Sequence, residues 1–73
     1  MPDENHLKML KQGIRAWNEW RVKYPGIIPD LGFSNLRAED LSFAGLRGAD
    51  LKHAYLRGSN LGRTDLSYAN LSR

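Results

Sequence analysis

Leucine occupies Leu31, Leu36, Leu41, Leu46, Leu51, Leu56, Leu61, Leu66 and Leu71, one residue in five without a gap. No regular secondary structure shares that period. On a helix a five-residue step turns about 500°, which spreads the leucines around the whole surface. On a strand each step of five lands on the opposite face. All nine side chains can share one interior only if the chain changes direction at about every repeat.

The neighbours of each leucine support that reading. Two residues before it stand Ser34, Glu39, Ala44, Ala49, Ala54, Ser59, Thr64 and Ala69, of which all but Glu39 are small. One residue before it stand Asn35, Asp40, Gly45, Asp50, Tyr55, Asn60, Asp65 and Asn70, mostly residues that hydrogen-bond their own backbone in turns. The two positions after it are mostly polar. Each unit therefore reads small, turn former, leucine, polar, polar, with the small residue and the leucine inward. Glu39 breaks the pattern. A buried unpaired carboxylate is costly, so it is expected to reach solvent or the cap rather than act as a buried acid.

The units AGLRG, ADLKH, AYLRG, SNLGR, TDLSY and ANLSR resemble the pentapeptide-repeat family, whose pattern is summarised as A(D/N)LXX. The resemblance covers Pro29 to Arg73, with Gly45 and Tyr55 departing from the pattern at the turn-former position. It implies an all-β solenoid, a short right-handed quadrilateral β-helix of about two coils. Five residues make each side, and residues twenty apart are stacked. Leu31, Leu51 and Leu71 then form one inner column, Leu36 lies below Leu56, Leu41 below Leu61 and Leu46 below Leu66. Outside, Arg37 falls beside Arg57, and Phe43 beside Arg63 in reach of a cation–π contact.

Residues 1–26 lack the five-residue period and form a separate capping segment ahead of the repeats at 27–73. Leu7, Leu10, Ile14 and Trp17 recur at helical spacing, flanked by Met9 and Trp20, with Tyr24 two turns on. Lys8, Lys11, Gln12, Arg15, Glu19 and Lys23 take the opposite face. Asp3 or Asn5 suits the N-cap and Pro25-Gly26 the stop. One amphipathic α-helix is expected, laid over the first coil, with Trp17 near Leu31, Leu36 or Ile28, and with Ile27 and Ile28 extending the seal. The segment HLKMLKQGIRAWNEW with its PDL entry also resembles what precedes the repeats in bacterial members of the family.

Little in the chain suggests catalysis. His6 and His53 stand alone, without a second ligand at metal spacing. Asp40, Asp50 and Asp65 fall at the turn-former position, where a structural role is expected. Gly45, Gly48, Gly58 and Gly62 form no phosphate loop. The expectation is a non-enzymatic protein without catalytic, cofactor-binding or metal-binding residues. With 73 residues, no cysteine and no apolar run of membrane-spanning length, a cytoplasmic, membrane-free location is expected.

Function then falls to the surface. Members of the family that bind type II topoisomerases mimic DNA, but a mimic is negative and long, and this chain carries a formal +3. Arg37, Arg47, Lys52, Arg57 and Arg63 form a candidate basic surface for nucleic acid, the alternative reading. The favoured one is a protein-interaction or assembly module. The last coil carries no covering segment, so Leu66, Tyr68 and Leu71 are candidates for self-association, as a homodimer or stacked oligomer, or for contact with further parts of a longer protein.

Overall fold

The computed structural model describes residues 2–72. Regular secondary structure begins with two helices, α1 (Glu4–Gln12) and α2 (Ile14–Lys23). Asp3 caps α1 by accepting hydrogen bonds from the backbone N–H of Asn5 and His6. The single helix expected over this segment is broken at Gly13, whose φ of 142° and ψ of 150° lie outside the range open to residues with a Cβ. Gly13 serves both as the end of α1 and as the entry to α2. The break re-aims the second helix, so that Leu10 and Trp17 both reach the core.

From Asp30 onward the backbone repeats every five residues. In each unit the small residue donates its N–H to the carbonyl of the preceding leucine, from Ser34 to Leu31 through Ala69 to Leu66. The second residue after each leucine has positive φ: Phe33, Ala38, Phe43, Gly48, His53, Gly58, Arg63 and Tyr68. A negative-then-positive pair of central residues is the sign pattern of a type II turn. Asn or Asp before the leucine closes a second, smaller ring by accepting the N–H two residues on. Asp30, Asn35, Asp40, Asp50, Asn60, Asp65 and Asn70 all do so.

Four such units complete a lap. Isolated parallel bridges join Asp30 to Asp50, Asn35 to Tyr55, Asp40 to Asn60, Gly45 to Asp65 and Asp50 to Asn70, each pair twenty residues apart. Among the described residues these bridges stand alone, without a continuous strand or a sheet. The reason is local: a turn in every five residues leaves only one or two extended residues between corners. Three backbone bonds per unit hold successive laps together. Around Leu36, for example, the Leu36 N–H donates to Tyr55 C=O, Ala38 N–H to Arg57 C=O, and Tyr55 N–H to Ser34 C=O.

Leu31, Leu36, Leu41, Leu46 and Leu51 are buried together with Ala44, Ala49, Leu10 and Trp17. Leu56, Leu61 and Leu66, expected to be fully buried, are only partly so, and Leu71 is 47% exposed. No described lap lies above them, so their upper surfaces meet solvent. Ile27 and Ile28 also depart from expectation. They stand exposed, and buried Pro29 carries the chain into the interior in their place. Glu39 is half-buried. Buried side-chain polar atoms are all paired among the described residues. Ser34 and Ser59 return their hydroxyls to the carbonyls of Leu31 and Leu56, and Thr64 donates to Leu41.

Candidate interaction faces

The ladder has a direction, and this gives its two faces opposite character. In every unit the lower lap sends two N–H groups up, from the leucine and the residue two after it. It receives one, from the turn former above. A lower edge therefore offers two acceptors and one donor per unit, and an upper edge the reverse. Buried without partners, such groups cost about 1–3 kcal/mol each.

Side chains from the helices take the place of an absent lap along part of the lower edge. The Trp17 indole Nε1–H donates to Gly45 C=O at 2.9 Å. Gly45 N–H donates to the Asn18 side-chain oxygen at 2.7 Å, and the Asn18 amide donates to Phe43 C=O. Arg21 donates to Arg47 C=O and, at 3.0 Å, to Ile27 C=O. Gly45 and Arg47 are thus served at the positions a lower lap would serve, by three residues on one side of α2. Partial burial lowers the Arg21 guanidinium from its ordinary value and Asp65 works against that shift, yet an arginine keeps its charge. At the other end Asp30 C=O accepts from Asp3 N–H at 3.0 Å, and Asp30 N–H donates to His6 Nδ1 at 3.0 Å. The His6 ring packs against Trp20 with centroids 5.0 Å apart and planes inclined at 51°, and Trp20 lies 5.2 Å from Trp17.

Leu7, Leu10, Ile14 and Trp17 all pack in or against the core cluster. Trp17 is completely buried, in one cluster with Leu31 and Leu36; the expected neighbour Ile28 is exposed. Sequence reasoning did not single out Asn18 and Arg21, and it treated His6 only as an isolated histidine. Their placement near Trp17 on a helix was legible, but their targets are backbone groups, which carry no residue signature.

Among the described residues the upper edge has no equivalent cap. Among the described residues, the N–H groups of Leu56, Gly58, Leu61, Arg63, Leu66 and Tyr68 have no protein partner, nor do the carbonyls of Ser59, Thr64 and Ala69. The candidate self-association residues sit here: Tyr68 is 82% exposed, Leu71 is exposed and Leu66 half-buried.

The five basic candidates are not gathered on one face. Arg37 and Arg57 share one five-residue segment of the lap, Arg47 lies half a lap from them, and Lys52 and Arg63 lie on the remaining two. Most rest on aromatic rings: Arg37 over Tyr55 at 4.4 Å, Arg47 over Tyr68 at 4.9 Å, and Arg63 over Phe43 at 5.9 Å, the last as expected from the stacking register. The described chain measures 28 × 22 × 21 Å, short for a rod. None of its helices is long and apolar enough to cross a membrane.

A lap of four turn units, repeated in register and capped by helices, defines a repeat protein. The pentapeptide-repeat model, "Pentapeptide repeats (8 copies)", matches residues 30–63 and 44–73, and the chain belongs to that family. No curated protein and no solved structure matches it.

Proposed function

We propose that this chain is a non-catalytic protein-interaction module. Its laps follow the right-handed, four-sided β-helix course of its family, and it docks a second copy of itself on its upper face. The observation that carries the reading is the contrast between the two edges. Below, Trp17, Asn18, Arg21 and His6 satisfy backbone groups; above, among the described residues, a row of N–H groups has no partner, Leu56, Leu61 and Leu66 are only partly buried and Leu71 is exposed.

Backbone polarity bears on the geometry. Two upper edges facing each other set donor-rich rows against one another, so a two-fold dimer rests on side chains, centred on Leu66, Tyr68 and Leu71. A head-to-tail stack matches donors to acceptors but meets the helices. Two-fold symmetry, the commonest in soluble homo-oligomers, is the arrangement proposed.

Sedimentation of the chain across a concentration series tests this. Wild type should shift toward a dimer as concentration rises, and Tyr68→Glu should remain monomeric with unchanged circular dichroism. A folded wild-type chain that stays monomeric at the highest concentration overturns the proposal.

A further inference from the structure

Beyond self-association, we infer that one flank of the stacked laps, beside the turn that leads into the first of them, binds an acidic protein segment carrying a large apolar side chain. The turn spans residues 24–27, with Pro25 and Gly26 at its centre and the Ile27 N–H donating to Tyr24 C=O at 3.2 Å. Between this turn and Arg47 and Gly48 on the first lap lies a hollow of about 260 Å³, which Ile28 and, on the second lap, Tyr68 also line. Arg47, Gly48 and Tyr68 occupy outward positions of stacked units, so the hollow opens sideways. A lap added above would lengthen its wall without covering it.

Three observations bear on the occupant. First, apolar side chains are exposed here on firmly held backbone. Ile28 is 68% exposed and Ile27 41%. Yet Arg21 ties the Ile27 carbonyl to the Arg47 carbonyl by donating to both, and Pro29, buried, accepts from Asp50 N–H at 2.8 Å. Adjacent large apolar side chains fixed in water mark an interaction surface. Second, the hollow has room: a Cβ at Gly48 would meet nothing within 4 Å. A recess rimmed by Ile27, Ile28 and Tyr68 suits one inserted side chain, and a flat lipid surface has nothing to place in it. Third, the surroundings are cationic. Arg21 and Arg47 line the hollow, and Lys23 lies over the Tyr24 ring at 5.6 Å. Asp65 is close enough for its charge to act on both arginines, but among the described residues no carboxylate forms an ion pair with any of the three cations. Two copies meeting here would set like charges together, whereas carboxylates flanking an apolar side chain complement them.

The test is titration of the ¹⁵N-labelled full chain, kept below the concentration at which it self-associates, with three blocked pentapeptides: Glu-Glu-Phe-Glu-Glu, Glu-Glu-Ala-Glu-Glu and Lys-Lys-Phe-Lys-Lys. The first should give saturable amide shifts at Ile27, Ile28, Gly48 and Tyr68 and bind more tightly than either of the others. Ile28→Ser should weaken it about tenfold, as expected for roughly two methylene-sized groups lost from contact. Arg47→Gln should weaken it about two- to fivefold, the range of an exposed ion pair. Both side chains are exposed, so both variants should fold, and Arg57→Gln, half a lap away, should leave binding unchanged. Equal affinity for the alanine or lysine peptide, unchanged affinity in Ile28→Ser, or no saturable shift with the first peptide overturns the inference. So do shifts at Ile27 and Ile28 on raising the protein concentration alone, which make the occupant a second copy. Binding to phosphatidylglycerol vesicles that Ile28→Ser abolishes, without a peptide shift, makes it a lipid surface and overturns the inference too. Of the residues proposed for the dimer contact only Tyr68 lines the hollow, and Ile28→Ser leaves that contact intact. Sedimentation therefore reads self-association separately, and either proposal can fail alone.

Discussion

The five-residue unit asks most of the residue two places after each leucine. Its φ is positive whether it is glycine or not, from 54° at Arg63 to 76° at Gly58. A Cβ in that region costs roughly 1–2 kcal/mol. Gly48 and Ala38 therefore make a paired prediction. Gly48→Ala has free space around the new methyl but an adverse φ of 70°, and should lower stability by about 1 kcal/mol in urea unfolding. Ala38→Gly, at φ 59°, relieves the same strain against about 0.5–1 kcal/mol of chain entropy, and should be neutral to mildly stabilising. A loss of stability on Ala38→Gly would contradict this account of the turn. Acid titration belongs to the same scale. The hydroxyls of Ser42 and Ser67, followed by the backbone N–H of the same residues, hold the Asp40 and Asp65 carboxyls below their ordinary range. Depressed folded-state values contribute stability that is present above about pH 4 and is lost as pH falls through them. Replacing both serines by alanine should flatten the acid limb of a stability–pH curve by lowering stability above about pH 4, and leave the most acidic end least changed.

At the scale of elements, the helices act through a few side chains. Trp17→Phe keeps most of the buried ring but leaves Gly45 C=O without its donor. The expected loss is about 1–3 kcal/mol, the range for an unsatisfied buried acceptor, read by chemical denaturation. Asn18→Ala removes both the acceptor for Gly45 N–H and the donor to Phe43 C=O, and should also expose the Gly45 amide to faster hydrogen exchange. Gly13 decides how the two helices meet. With φ at 142° it has room for a methyl but no comfortable conformation for one, so Gly13→Ala should straighten the break and pull Trp17 from its site. A red-shifted Trp fluorescence spectrum would report that movement.

For the whole molecule, the core is graded from a closed lower end to an open upper one. Leu36 is fully buried between the helices and the upper lap, whereas Leu56 above it is half-buried. Leu36→Ala should cost about 2–5 kcal/mol and Leu56→Ala clearly less, because the smaller cavity at Leu56 opens to water. If the two cost the same in dilute, monomeric protein, the gradient is wrong. If they converge only as concentration rises, a second copy is covering the upper lap, which links stability to self-association.

Much of this was legible along the chain. The unbroken leucine period, the small residue two places earlier and the Asn or Asp between them are local requirements of a turn repeated every five residues, and local requirements leave residue signatures. The twenty-residue stacking register and the Arg63–Phe43 contact followed from the repeat once it was seen as part of a known family. Three things required the tertiary structure. The break at Gly13 was hidden because the apolar spacing from Leu7 to Trp17 continues across it, and only packing of both helices on one core selects the bent form. Burial of the later leucines depends on what lies above them, a neighbour twenty residues away rather than a property of the unit. The capping roles of His6, Asn18 and Arg21 were decided by unpaired backbone carbonyls and amides on the first lap, groups that every residue carries and that acquire a direction only when the laps are stacked.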